Sequence, residues 1–207
     1  LARMRGLRLT PEDTAWFSFT GDAISPLGEL DAVLMRKDPP FNLEYIYSTY
    51  ILELAEAQGA LVVNRPRGLR DANEKMFPLW FPQCTAPALV THNASQLRAF
   101  LQEHQDIILK PLDQMGGSSV FRLRLHDPNI SVVIETMTAR GASLTMAQRY
   151  IPEIARGDKR ILLVDGEPIP YALARVPAPG ETRGNLAAGA SGIGVALSTR
   201  DRWICAQ

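Results

Sequence analysis

The stretch 107–120 reads I-I-L-K-P-L-D-Q-M-G-G-S-S-V and sets a lysine, a glycine pair and two serines close together. Lys110 closes an apolar run, and the pair Gly116-Gly117 follows six residues later, with Ser118 and Ser119 behind it. Glycine lets a backbone approach a ligand closely, and successive free N–H groups form a concavity suited to phosphate oxygens. A lysine aimed at the same place adds a point charge. The chemistry suggested is phosphate cradling. An ordinary hairpin turn with an exposed lysine has the same composition, and one G-G turn does not separate the two.

The element that must position these groups is a hairpin, because 107–109 and 120–125 are short apolar runs bounded by turn residues. Upstream, 31–36 reads as the first clear strand, and the sequence before it reads as irregular. That strand ends in Arg36-Lys37-Asp38-Pro39-Pro40, so two prolines stop it and three charges crowd its carboxyl end. In open α/β sheets ligands bind at that end, although a solvated turn would look the same. Leu43, Ile46, Tyr47, Tyr50, Ile51, Leu54 and Ala55 recur at helical spacing as far as Gly59, and 61–64 is a further strand. Strand, helix, strand predicts a parallel α/β layer.

Asp71-Ala-Asn-Glu74 has the form of a capping box opening a helix that carries Lys75, which Pro78 would shorten or kink. Extended sequence follows over 85–90. A second capping-box pattern, Asn93-Ala-Ser-Gln96, leads a helix with Leu97, Phe100 and Leu101 on one face. With a helix over 131–140 and a strand over 143–149, this span makes an α+β unit of about eighty residues. Next, Asp158-Lys159-Arg160 precedes a strand over 161–164, Asp165-Gly166 is a hairpin signal, and 168–176 is the return strand. The stretch 177–194 is rich in Pro, Gly and Ala, with E-T-R-G-N set into it at 181–185. That composition suits a mobile lid with a charged tip, or equally a plain linker. The residues 200–207 read as the start of a helix.

Composition excludes several classes. Lys+Arg and Asp+Glu each number 22, so no net field draws nucleic acid or an anionic membrane. Cys84 and Cys205 lie far apart, and His92, His104 and His126 lack ligand-like spacing, so these residues indicate neither a metal site nor a disulfide framework. No apolar run is long enough to span a bilayer. The opening L-A-R-M-R-G-L-R-L has charge without a following apolar region, unlike a secretory signal. The expectation is a soluble protein of the cytoplasm, with no nucleic-acid or membrane partner.

Taken together, M-R-K-D-P-P-F (35–41), R-D-A-N-E-K (70–75), I-I-L-K-P-L-D-Q-M-G-G (107–117), G-D-K-R (157–160), V-D-G-E-P (164–168) and G-E-T-R-G-N-L-A-A-G (180–189) resemble bacterial glutathione synthetase, of the ATP-grasp superfamily. The resemblance runs from about residue 16 to residue 189 in matching order and spacing. It implies an α/β fold with an α+β lid in the ATP-grasp architecture, in which two sheets grip ATP. Lys75 and Lys110 then resemble the lysines that meet the nucleotide phosphates, and Gly116, Gly117 and Ser118 the flap over them. Gln148, Arg149, Tyr150 and Ile151 match the hinge where adenine lies, and Arg160 resembles a phosphate-side arginine. Arg36 and Asp38 correspond to the γ-glutamylcysteine side, while Arg183 and Asn185 lie on the family's flexible active-site loop.

The reaction so implied joins γ-glutamylcysteine to glycine through an acyl phosphate made at the expense of ATP. Such catalysis is positioning plus charge neutralisation and requires no nucleophile–histidine pair. The resemblance places 1–70 in a partial amino-terminal substrate domain and 71–152 in the central lid. It places 153–207 in a partial carboxyl-terminal domain with the active-site loop at 177–194. Both ends read as cut, and the ligands of Mg²⁺ are expected beyond residue 207, so this chain is expected to be inactive alone. The family further suggests a homo-oligomer. The alternatives are another ATP-grasp carboxylate–amine ligase, against which the R-K-D-P-P and G-E-T-R-G-N runs argue, and a non-catalytic nucleotide-binding remnant.

Overall fold

The computed structural model describes residues 1–11, 14–178, 184, 186 and 189–207, which fall into two units divided after Asn73. In the first unit the expected strand–helix–strand layer is present. Strand β3 (Ala32–Leu34) lies parallel to β4 (Leu61–Val63), and α1 (Leu43–Ala57) connects them. Asn42 caps α1 by accepting a hydrogen bond from the Tyr45 N–H at 3.1 Å. The helix buries Thr49, Leu52 and Ala55. Arg70, on the short helix α2 (Pro66–Asp71), crosses to α1 and donates to Glu53 Oε1 at 2.7 Å and Thr49 Oγ1 at 3.0 Å.

Two readings of this unit need correction. The sequence before residue 32 is a regular hairpin, β1 (Ala2–Leu9) antiparallel to β2 (Phe17–Ser25), interrupted by a bulge at Gly6/Leu7. Its residues do alternate, as in Ala2-Arg3-Met4-Arg5 and Phe17-Ser18-Phe19-Thr20, but most of these side chains are exposed and none is buried, so the alternation marks no buried face. The sequence Asp71-Ala-Asn-Glu74 does not open a helix. Asp71 ends α2, which starts at Pro66 with proline in its favoured first turn, and its carboxylate lies 3.4 Å from Arg67 Nε one turn earlier.

The second unit is built on a four-stranded antiparallel sheet, order β5-β8-β6-β7, from β5 (Ala88–Thr91), β6 (Asp106–Pro111), β7 (Phe121–Arg124) and β8 (Thr145–Arg149). One face is covered by α3 (Ala94–His104) and α4 (Ile130–Met137), and Leu97, Leu101, Ile107, Leu109, Leu123, Ile134 and Ala147 form the core between them. Asn93 caps α3 by accepting from the Ser95 and Gln96 N–H groups. The reciprocal half of the expected box is missing, because the Gln96 side chain accepts from Thr91 Oγ1 at 2.6 Å instead. Helix α4 stops at Met137, short of the expected 140, where Ala139 and Arg140 take left-handed backbone angles.

A second, three-stranded antiparallel sheet has order β11-β10-β9, from β9 (Asp158–Val164), β10 (Glu167–Val176) and β11 (Ser191–Ala196). Asp165 and Gly166 both adopt positive φ, as a two-residue hairpin turn requires. Strand β11 corrects the reading of 177–194 as loop throughout, since Ser191–Ile193 already pair with Val176–Ala174. Gly192 and Gly194 gave that segment the composition of a loop. The chain continues into α5 (Thr199–Cys205), which opens on a capping box formed by Ser198 and Asp201. No helix among the described residues is long and apolar enough to cross a membrane.

Candidate functional site

The pleat of β6 places Lys110. Ile107 and Leu109 point into the helix-covered core, at 1% and 0% exposure, so Ile108 and Lys110 lie on the opposite face of the sheet. Thr145 Oγ1 donates to the Lys110 carbonyl at 3.0 Å and pins the end of the strand. The lysine Nζ donates to Gln148 Oε1 on the neighbouring strand at 2.8 Å. Burial pushes the Lys110 ammonium below its ordinary pKa, the positive charge of Lys75 pushes it the same way, and Glu74 opposes both. Lys110 is therefore not the exposed strand end that an ordinary hairpin would have.

Lys75 sits in the turn before the 3-10 segment Phe77–Trp80 rather than on an α-helix. Its Nζ donates to Glu74 Oε1 at 2.6 Å and to the Gln114 carbonyl at 3.0 Å. Gln114 leads directly into the glycine turn. Gly116 and Gly117 have φ of 68° and 78°, and the Ser118 N–H closes the turn onto the Met115 carbonyl at 3.2 Å. A Cβ placed on Gly116 would meet nothing within 4 Å, so the space over the turn is open. Two lysines from distant parts of the sequence thus converge beside an open glycine turn, an arrangement suited to phosphate oxygens.

Gln148 shares the Lys110 face of the sheet, followed by Arg149, exposed, then Tyr150, part-buried, and Ile151, exposed. Tyr150 is held by two residues to which the sequence reading gave no role. The Arg122 guanidinium lies 3.5 Å over the Tyr150 ring centroid. Arg122 also donates to both carboxylate oxygens of Asp106, at 2.9 and 2.6 Å, and the Tyr150 N–H donates to the Asp106 carbonyl at 2.9 Å. The Arg122 hydrogen bonds hold the Asp106 carboxyl below its usual pKa. The pairing of Ile108 with both Arg122 and Gln148 was the missed signal, and it emerges only once the strand registers are known.

Arg160 is exposed on β9. Beside it a second bidentate pair forms, Arg175 to Asp158 at 2.7 and 2.8 Å. A Cβ on Gly184 would come within 2.7 Å of Asp158 Oδ2, so glycine is what fits against this pair. Arg36 and Asp38 are exposed on the turn after β3 in the first unit. Arg183 and Asn185 lie outside the described residues. Among the described residues no three His, Cys, Asp or Glu side chains converge where a metal ion could be held, so these residues do not fit a Mg²⁺ site.

Comparison with known proteins identifies the family and the fold. The sequence pattern described as prokaryotic glutathione synthetase, N-terminal domain, matches residues 1–70, and that of the prokaryotic glutathione synthetase ATP-grasp domain matches residues 74–207. The chain is 60% identical over 205 residues to the glutathione synthetase of Pseudomonas aeruginosa, covering 99% of this chain and 65% of that protein. It therefore spans a little under two thirds of that relative's length. Among solved structures it resembles D-cycloserine synthetase DcsG, with a TM-score of 0.66 at 15% identity over 87% of this chain and 65% of the other. It also resembles the ATP-grasp ligase PsnB, with a TM-score of 0.53 at 20% identity over 98% and 66%. At such identities the likeness is one of fold, and the fold is ATP-grasp.

Proposed function

The chain belongs to the prokaryotic glutathione synthetase family, and we propose that it serves the ATP-dependent joining of γ-glutamylcysteine to glycine. The observation that carries the proposal is the convergence of Lys75 and Lys110 beside the open turn at Gly116 and Gly117. In this reading 71–152 is the lid that holds ATP, 1–70 and 153–207 belong to the flanking domains, and the protein works in the cytoplasm.

The γ-glutamylcysteine carboxylate oxygen attacks the γ-phosphorus of ATP, the bond from that phosphorus to the β–γ bridging oxygen breaks, and ADP leaves. The glycine amine then adds to the acyl carbon, the carbon–oxygen bond to phosphate breaks, and phosphate departs as the amine loses a proton. Lys75 and Lys110 neutralise the charge that accumulates on the transferred group, and the Gly116 and Gly117 N–H groups cradle its oxygens, with Ser118 completing the flap. The segment Gln148–Ile151 takes the base, Arg160 faces phosphate, Arg36 and Asp38 orient γ-glutamylcysteine, and Arg183 and Asn185 attend the acyl phosphate. Mg²⁺ enters as the counter-ion of ATP, and no step is assigned to it because the described residues do not form its site.

The test is incubation of the protein, expressed from its whole reading frame, with ATP, Mg²⁺, γ-glutamylcysteine and glycine. Glutathione formation is expected. Turnover only with another carboxylate or amine would make it a different ATP-grasp ligase, and nucleotide binding without any turnover would make it a remnant.

A further inference from the structure

The sheet face that carries Lys110 is organised in rows. Ile108 pairs with Gln148 on one side and with Arg122 on the other, so Gln148, Ile108 and Arg122 form one row across three strands. Lys110 stands two residues further along β6 on the same face, and Asp106 two residues back. From Asp106 to Lys110 the strand runs about 13 Å, at roughly 3.3 Å per residue. One end of this floor therefore carries the lysine charge and the other an aromatic ring, Tyr150, with the Arg122 guanidinium on one of its faces.

We infer that Arg122 is a positioning residue for the base end of the nucleotide site. It rests on the proposed ATP reading, and it adds a part that the phosphate-side residues cannot supply. Tyr150 follows β8 directly, where the regular ladder has ended. Its ring orientation depends on Arg122, and the arginine is in turn fixed by two hydrogen bonds to Asp106. The Tyr150 N–H is tied to the carbonyl of that same Asp106, so ring and backbone are set from one point. A planar guanidinium can stack on the ring and grip the carboxylate as a fork at the same time, whereas lysine offers neither the plane nor the fork. Among the described residues the partners of Arg122 are Asp106 and Tyr150, both at the base end of the face.

The test compares two probes, ATP and inorganic tripolyphosphate, which shares the phosphates and lacks the base. Binding is measured by calorimetry on the protein from its whole reading frame, with circular dichroism to check the fold. Arg122→Ala should weaken ATP by about tenfold and leave tripolyphosphate within about twofold. Arg122→Lys should recover little of the loss, and Lys110→Ala should weaken both probes. Asp106→Asn, which keeps the side-chain shape and weakens the grip on Arg122, should weaken ATP alone if Arg122→Ala does not fold. Equal losses for both probes in the Arg122 and Asp106 variants, or no loss for ATP, would overturn the inference while leaving the ATP reading intact. A wild-type protein that binds neither probe would overturn the ATP reading and the inference with it.

Discussion

Lys110 on β6 and Gln148 on β8 are joined across the sheet by a 2.8 Å hydrogen bond from Nζ to Oε1, on the face opposite the helix-covered core. The bond aims a part-buried ammonium without neutralising it, because the partner is an uncharged amide. Removing the lysine should remove a charge-assisted phosphate contact worth roughly 1.5–3 kcal/mol. Lys110→Ala is therefore expected to weaken ATP by at least about tenfold in calorimetry. An unchanged dissociation constant would show that the lysine does not meet the nucleotide.

The same lysine gives a pH signature. Burial and the nearby Lys75 charge lower its pKa, so as pH rises it gives up its proton earlier than an ordinary lysine does. Between the folded and the ordinary value the unfolded chain binds more protons, so over that interval stability from this group rises with pH. Triphosphate oxygens should restore the charged form, and ATP binding in that alkaline interval should take up a proton. Calorimetry in two buffers of different ionisation enthalpy measures it: the apparent enthalpy should differ between them for wild type and much less for Lys110→Ala. Equal apparent enthalpies for the wild type would contradict the assignment.

Asp201 predicts an acid response elsewhere in the second unit. Its carboxylate accepts from Lys159 Nζ at 2.6 Å and from the Ser198 side chain and backbone, which together lower its pKa from 3.8 to about 2. A depressed carboxylate contributes stability above its unfolded value, and that stability is lost as pH falls through the folded one. Thermal midpoints of wild type and Asp201→Asn should differ fully at neutral pH, and the gap should close between about pH 4 and pH 2. A gap independent of pH would mean that the charge of Asp201 contributes nothing.

Gly157 opens the G-D-K-R run with φ of 99°, and a Cβ there would fall 2.7 Å from the Arg175 carbonyl oxygen. Backbone cannot swing away as a side chain can. Gly157→Ala should therefore cost about 1–3 kcal/mol in denaturant unfolding, through backbone strain and a displaced Arg175–Asp158 pair. A variant as stable as wild type would show that β9 and β10 relax freely at this point.

What the sequence made legible follows from how local each signal is. The layer β3–α1–β4 was readable from apolar periodicity, and the β9–β10 turn from Asp165-Gly166 alone. Lys110 and its glycine turn were readable because they are neighbours in sequence. Lys75 was recognised as a residue but placed on the wrong element, since the Asp71–Glu74 pattern imitates a cap while Asp71 closes the helix before it. The β1–β2 hairpin was missed although 2–5 and 17–20 alternate at strand period, because exposure on both faces leaves that alternation without a core to confirm it. The lock of Asp106, Arg122 and Tyr150 depends on pairings 16 residues and more apart, which no local motif encodes.

Oxygen followed from substrate to phosphate tests carboxylate activation itself. γ-Glutamylcysteine labelled with ¹⁸O in its reacting glycyl-acceptor carboxylate is turned over with ATP and glycine by the protein from its whole reading frame. If that carboxylate attacks the γ-phosphorus at the Lys75–Lys110 site, one labelled oxygen should appear in inorganic phosphate for each glutathione formed. Glutathione formed with unlabelled phosphate would contradict carboxylate activation by phosphoryl transfer, and the account with it.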